Sequence, residues 1–228
     1  MNDKLLKIGV LAVAVAVAGG IYYLASTRDV RVGAYLEVRR DLTLDEIAQL
    51  ERDVVAAERN LENAEQNYKE GRYKGLTEKG AALYSMGKIG EAEVYMSQAK
   101  EIFPKNFTAY LGLFRIKADM NDTEAAKENA EKALELRPKS AETWVLYADY
   151  QKAKLGATQE QLRAIYEDAV SKTQSDALVL KKYARYLEEV GDYTGALDKW
   201  KKALEVEKTD KPGVESEIKR VEGIIAQQ

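Results

Sequence analysis

The chain has 228 residues, 46% hydrophobic and 32% charged, a balance that sustains a folded core and argues against extended disorder. Its 35 basic and 38 acidic residues leave a net charge of −3 with both signs interspersed, so no basic stripe points to nucleic acid as a partner. Cysteine and histidine are both absent, which excludes disulfides, thiol nucleophiles, Cys-based metal sites and the commonest general base.

Residues 8–25, IGVLAVAVAVAGGIYYLA, carry no charge and follow Lys4 and Lys7. That length just spans a bilayer core, and Tyr22 and Tyr23 sit where amphipathic rings favour the interface. The expectation for residues 1–25 is a retained transmembrane anchor touching the membrane through residues 5–25. A signal peptide cleaved near Ala16-Val17-Ala18 is the alternative. Residues 26–42 read as a juxtamembrane linker, and Arg28, Arg31, Arg39 and Arg40 lean the rest of the chain slightly toward the cytoplasmic side.

Thr43-Leu44-Asp45-Glu46 has the form of a capping box that opens a connecting helix over residues 43–70. Ile47, Leu50, Val54, Ala57, Leu61, Ala64 and Tyr68 then recur at alternating three- and four-residue steps, an a/d seam over three heptads. Paired between two chains, Ile47, Leu50, Val54 and Leu61 would form an oligomer seam. Two alanines make that zipper weak, so packing of the apolar side against the following domain is the preferred reading.

Beyond this helix the chain repeats. Pro104 and Pro138 are 34 residues apart, and Ala99, Ala133, Ala169 and Ala203 follow at steps of 34, 36 and 34. Met96, Ala130, Tyr166 and Trp200 stand three residues before these alanines; Ala92, Ala126, Leu162 and Ala196 stand seven before. Gly80, Phe114, Ala148 and Ala184 hold matching places on the preceding helix, with Leu76, Tyr110, Trp144 and Leu180 four residues earlier. Gly87 and Gly191 mark turns, Asn121-Asp122 takes that place in the second unit, and KLGATQEQL lengthens the third.

This pattern resembles the tetratricopeptide repeat (TPR) family over residues 73–208, in units 73–106, 107–140, 141–176 and 177–208. Phe114 at a small position, Ala130 at a large one, and the lack of a proline closing the last two units depart from the family pattern. The resemblance implies an all-α, right-handed α-solenoid of about four helical hairpins, preceded by the long helix and the transmembrane helix. Each hairpin is too short to be stable alone and gains its core by stacking. Asp210 and Pro212 open a capping helix over residues 210–228, with Val214, Ile218, Val221 and Ile225 in one stripe.

No P-loop, dinucleotide-binding glycine run, nucleophile elbow or metal-ligand cluster occurs, so no catalytic, cofactor-binding or metal residue is named and the chain reads as a non-enzyme. In the TPR family the first helix of each unit lines a concave groove that receives peptide or helical segments of other proteins. By position that groove would present Thr77, Ala81 and Tyr84; Leu111, Arg115 and Asp119; Val145, Asp149 and Lys152; and Lys181, Arg185 and Glu188. Ala81, Gly112, Glu142 and Leu146 stand where some relatives clamp a chaperone's terminal carboxylate, so that clamp is missing. The expected function is a membrane-anchored interaction scaffold or adaptor, with the assembly of a membrane complex as one setting for it. The alternative is a self-assembling structural subunit, an oligomer or filament built through the N-terminal helix and repeat stacking.

Overall fold

The computed structural model describes residues 40–63 and 68–228. Among the described residues the chain forms ten α-helices and no strand: α1 (Leu44–Asn63), α2 (Lys69–Ser85), α3 (Ile89–Ile102), α4 (Phe107–Asp119), α5 (Thr123–Leu136), α6 (Ala141–Lys154), α7 (Gln159–Lys172), α8 (Ala177–Glu189), α9 (Tyr193–Val206) and α10 (Lys211–Ile225).

No helix among the described residues is long and apolar enough to cross a membrane. The longest, α1, has 20 residues but carries Glu51, Arg52, Asp53, Glu58 and Arg59, charges costly to place in hydrocarbon. The expected transmembrane helix at residues 8–25 lies outside the described residues. The single-pass membrane localisation, with its contact through residues 5–25 and its cytoplasmic lean, is therefore corrected: the helices that can be described offer no span to support it.

The described residues divide into two compact halves, parted between Asn129 and Ala130 within α5. In the first half Thr43 and Glu46 close the capping box that starts α1: the Thr43 amide donates to Glu46 at 2.8 Å, and the Glu46 amide donates to the Thr43 hydroxyl at 3.3 Å. The heptad seam of α1 then packs on α2 within the same chain. Ala57 is 1% exposed, and Val54 joins a cluster of Leu83, Ala92, Met96, Leu113 and Ile116. Leu61 lies so close to Gly75 that an added Cβ there would stand 2.8 Å from Leu61 Cγ. Lys79 fastens the pair, donating to Glu58 at 2.6 Å and sitting 4.4 Å from the centre of the Tyr95 ring. Ile47 and Leu50 are half-buried. This docking explains the seven-residue spacing without a second chain, and the oligomer seam expected at Ile47, Leu50, Val54 and Leu61 gains no support.

In the second half one core joins α8, α9 and α10 through Leu180, Ala184, Trp200, Ala203, Val214 and Val221. A second holds three stacked tyrosines, with Tyr166 5.0 Å from Tyr183 and 5.4 Å from Tyr186 between ring centres. The small residues of the 34-residue pattern are fully buried, with Ala92, Ala99, Ala126, Ala133, Ala196 and Ala203 all 0% exposed, while Tyr110 and Trp144 at its large positions are half-buried. Small side chains there let paired helices approach closely, and Trp200 and Tyr166 fill the space left.

The turns follow from the same pattern. Gly87, Asn121 and Gly191 all take the left-handed conformation, at φ of 83°, 58° and 81°. At each, the next amide reaches back to the helix: Lys88 to Leu83, Asp122 to Lys117, and Asp192 to Leu187. These are Schellman closures, and Asn is the non-glycine residue that tolerates the required φ best. After α7 the same closure runs from Ser175 to Val170, with Gln174 and Ser175 both at positive φ, 59° and 63°.

Candidate functional site

The residues expected on the binding face separate into two layers. In the first half Thr77 and Leu111 are each 9% exposed, and the Thr77 hydroxyl donates back to the carbonyl of Lys74 at 2.9 Å. They back the surface rather than form it. Ala81 is exposed, and Arg115 is half-buried. Tyr84 and Asp119 are engaged by Arg40, a residue whose place in the sequence assigns it only to the linker. The Arg40 guanidinium donates to the Asp119 carboxylate at 2.5 Å and lies 4.8 Å from the centre of the Tyr84 ring. Burial, followed by the Asp119 charge, raises the Tyr84 phenol above its ordinary value, with Arg40 opposing.

In the second half Val145 is 7% exposed and belongs to a core cluster with Ala169 and Val179. Asp149 and Lys152 on α6 face α8: Asp149 lies 3.5 Å from Lys182, and Lys152 pairs with Glu189. Lys181 donates to Glu207 at 2.5 Å, and Glu207 also accepts from the Thr209 amide and hydroxyl, each at 2.9 Å. Lys181 first, then these Thr209 donors, hold the Glu207 carboxyl far below the usual carboxylate range. Glu188 accepts from the Trp200 indole at 2.8 Å and also pairs with Arg220, so it ties α8 to α9 and α10. Arg185 is exposed, 5.9 Å from the centre of the Trp200 ring.

Between α8 and α10 an open cleft of about 290 Å³ is lined by Leu178, Lys181, Lys182 and Arg185, together with Asp210 and Glu217. Leu178 is 40% exposed at its edge. Sequence reasoning missed Leu178, Lys182 and Arg40. The first two stand close to chosen positions on the same helix, and a wider arc would have included them. Arg40 carries no periodic signal at all. Among the described residues no acidic cluster is arranged to hold a metal ion.

No protein-family model matches the sequence. No curated protein matches it either. Solved structures do. The chain is similar in fold to TTC0263, a thermophilic TPR protein of Thermus thermophilus, at a TM-score of 0.56 and 15% identity over 84% of this chain and 96% of that one. It is similar to MamA at a TM-score of 0.53 and 16% identity, covering 74% of this chain and 95% of MamA. It also matches the APC/C hetero-tetramer Cut9–Hcn1 at 0.56 and 15% identity, over 78% of this chain but 34% of the other. The fold is that of TPR proteins.

Proposed function

We propose that this chain is a protein-interaction scaffold whose first helices in each hairpin, α2, α4, α6 and α8, offer surfaces to a segment of another protein. The observation that carries the reading is α8. Its Val179, Leu180, Tyr183, Ala184, Tyr186 and Leu187 are all buried, while Leu178 and Arg185 stay exposed beside an open cleft. An apolar edge at Leu178 beside the exposed guanidinium of Arg185 suits a protein segment carrying a hydrophobic side chain and a carboxylate. The TPR fold supports the reading, since stacked hairpins create extended binding surfaces from residues that stacking does not consume.

A photo-crosslinking side chain at Arg185, with a second chain carrying it at the exposed Lys201 on α9 as control, tests this. Adducts with a defined protein from the Arg185 site, lost on Lys182→Glu, are expected. Equal capture from both positions, or none from Arg185, overturns the assignment.

A further inference from the structure

In the first half one part of the expected binding face is already filled by the chain itself. Arg40 stands four residues before α1, and the capping box at Thr43 and Glu46 fixes the start of that helix. From there its guanidinium meets a carboxylate and an aromatic face together: Asp119 of α4 at 2.5 Å and the ring of Tyr84 of α2 at 4.8 Å. That combination is selective. A guanidinium is planar, donates in a fork and stacks on rings, whereas an ammonium meets a carboxylate as a point charge. The contact is also reachable from solvent, since the Arg40 and Asp119 side chains are 27% and 29% exposed. One arginine can therefore leave and another enter without opening the core beneath, where Leu83, Leu113 and Ile116 are buried.

We propose that Tyr84 and Asp119 form a guanidinium-accepting subsite, occupied in cis by Arg40, and that the protein segment bound by this half presents an arginine to it. The inference rests on the reading of the chain as an interaction scaffold and specifies the ligand chemistry of one part of its surface. Tethering makes Arg40 a resident competitor at an effective concentration on the order of millimolar, so an outside arginine segment binds only when its remaining contacts outweigh that competition. The device sets an affinity threshold: stray arginines are excluded, and a segment with further contacts displaces Arg40.

The probe is a labelled peptide with the chain's own residues 36–43, LEVRRDLT, added to the full chain and followed by fluorescence anisotropy. The unsubstituted chain should bind it about tenfold more weakly than Arg40→Ala, because only the latter has a vacant subsite. Adding Asp119→Asn to Arg40→Ala should abolish binding, as should replacing the peptide's second arginine by alanine. Arg40→Gln, which keeps a polar side chain before α1, provides a second vacated chain should Arg40→Ala lose helicity. Equal affinity for occupied and vacated chains, indifference to Asp119, or no saturable binding to a folded vacated chain overturns the proposal. The crosslinking at Arg185 in the other half is independent of this outcome, so failure of the subsite and failure of the scaffold reading are told apart.

Discussion

The indole N–H of Trp144 donates to the carbonyl of Pro138 at 2.8 Å, six residues back across the turn that separates two hairpins. Tyr110 repeats the contact with Pro104, its hydroxyl donating at 3.0 Å. Each proline follows the end of a helix, and the aromatic in the first turn of the next one fastens to the proline's own carbonyl, so the two markers of the 34-residue period are bonded to each other. Trp144→Phe keeps most of the ring and removes the donor, and should cost about 0.5–1.5 kcal/mol in chemical denaturation. An unchanged midpoint would show that solvent replaces the bond without loss.

The docking of α1 on α2 depends on Gly75, which has no side chain to push Leu61 away. A Cβ at Gly75 would also stand 3.3 Å from the Ala57 carbonyl, which cannot move without moving α1. Gly75→Val should therefore destabilise the chain by about 1–3 kcal/mol, despite the poor helix propensity of glycine. Hydrogen exchange should locate the loss in α1 and α2; protection lost evenly across the second half would contradict the packing described.

Gln174 and Ser175 hold left-handed backbone that favours glycine, at φ of 59° and 63°. Ser175→Gly should relieve this and raise stability by about 0.5–1 kcal/mol, the steric gain exceeding the entropy lost by a freer unfolded chain. A lower melting temperature would mean that the serine side chain contributes more than its backbone costs.

Glu207 links stability to acid. Its folded carboxyl lies below the ordinary 4.5, so its contribution is present above that value and is lost as pH falls toward the folded one. Melts recorded from neutral pH downward should show Glu207→Gln less stable than the unsubstituted chain near neutrality, the two converging in acid. A constant gap across that window would exclude the carboxylate, held by Lys181 and Thr209, as the cause.

Tyr147 links stability to base. Burial first, and then the Glu131 charge, push its phenol from 10.0 up to about 12. The folded state thus holds this proton more tightly than the unfolded one, and its contribution, intact below 10.0, fades as pH rises toward 12. Tyr147→Phe should flatten the alkaline loss of stability and remove a late-ionising tyrosine from the ultraviolet titration. Loss instead of a phenol that ionises near the ordinary 10.0 would exclude the raised value at Tyr147.

Much of the fold was legible because the repeat is written in residue size. Ala92, Ala99, Ala196 and Ala203 could be placed at helix contacts from spacing alone, and the turn at Asn121 from its match to Gly87 and Gly191. The expected binding face was less legible. The resemblance to the TPR family implied a groove position for Thr77, Leu111 and Val145, but the packing of neighbouring helices put them in the backing layer. Glu188 reads as a contact residue by position, and nothing local reveals that it accepts from Trp200 and Arg220.

The sequence by itself determined the helical class, the 34-residue period, the caps and turns, and the absence of histidine and cysteine chemistry. These are local properties, set by which side chains recur on one helical face and which backbone angles a residue tolerates. Only the tertiary structure decided which charges meet: Lys181 with Glu207, Arg220 with Glu188, and Arg40 with Asp119, which stands 79 residues away. An ion pair is chosen by distance in space, and its attraction weakens as that distance grows, so it leaves no period in the chain.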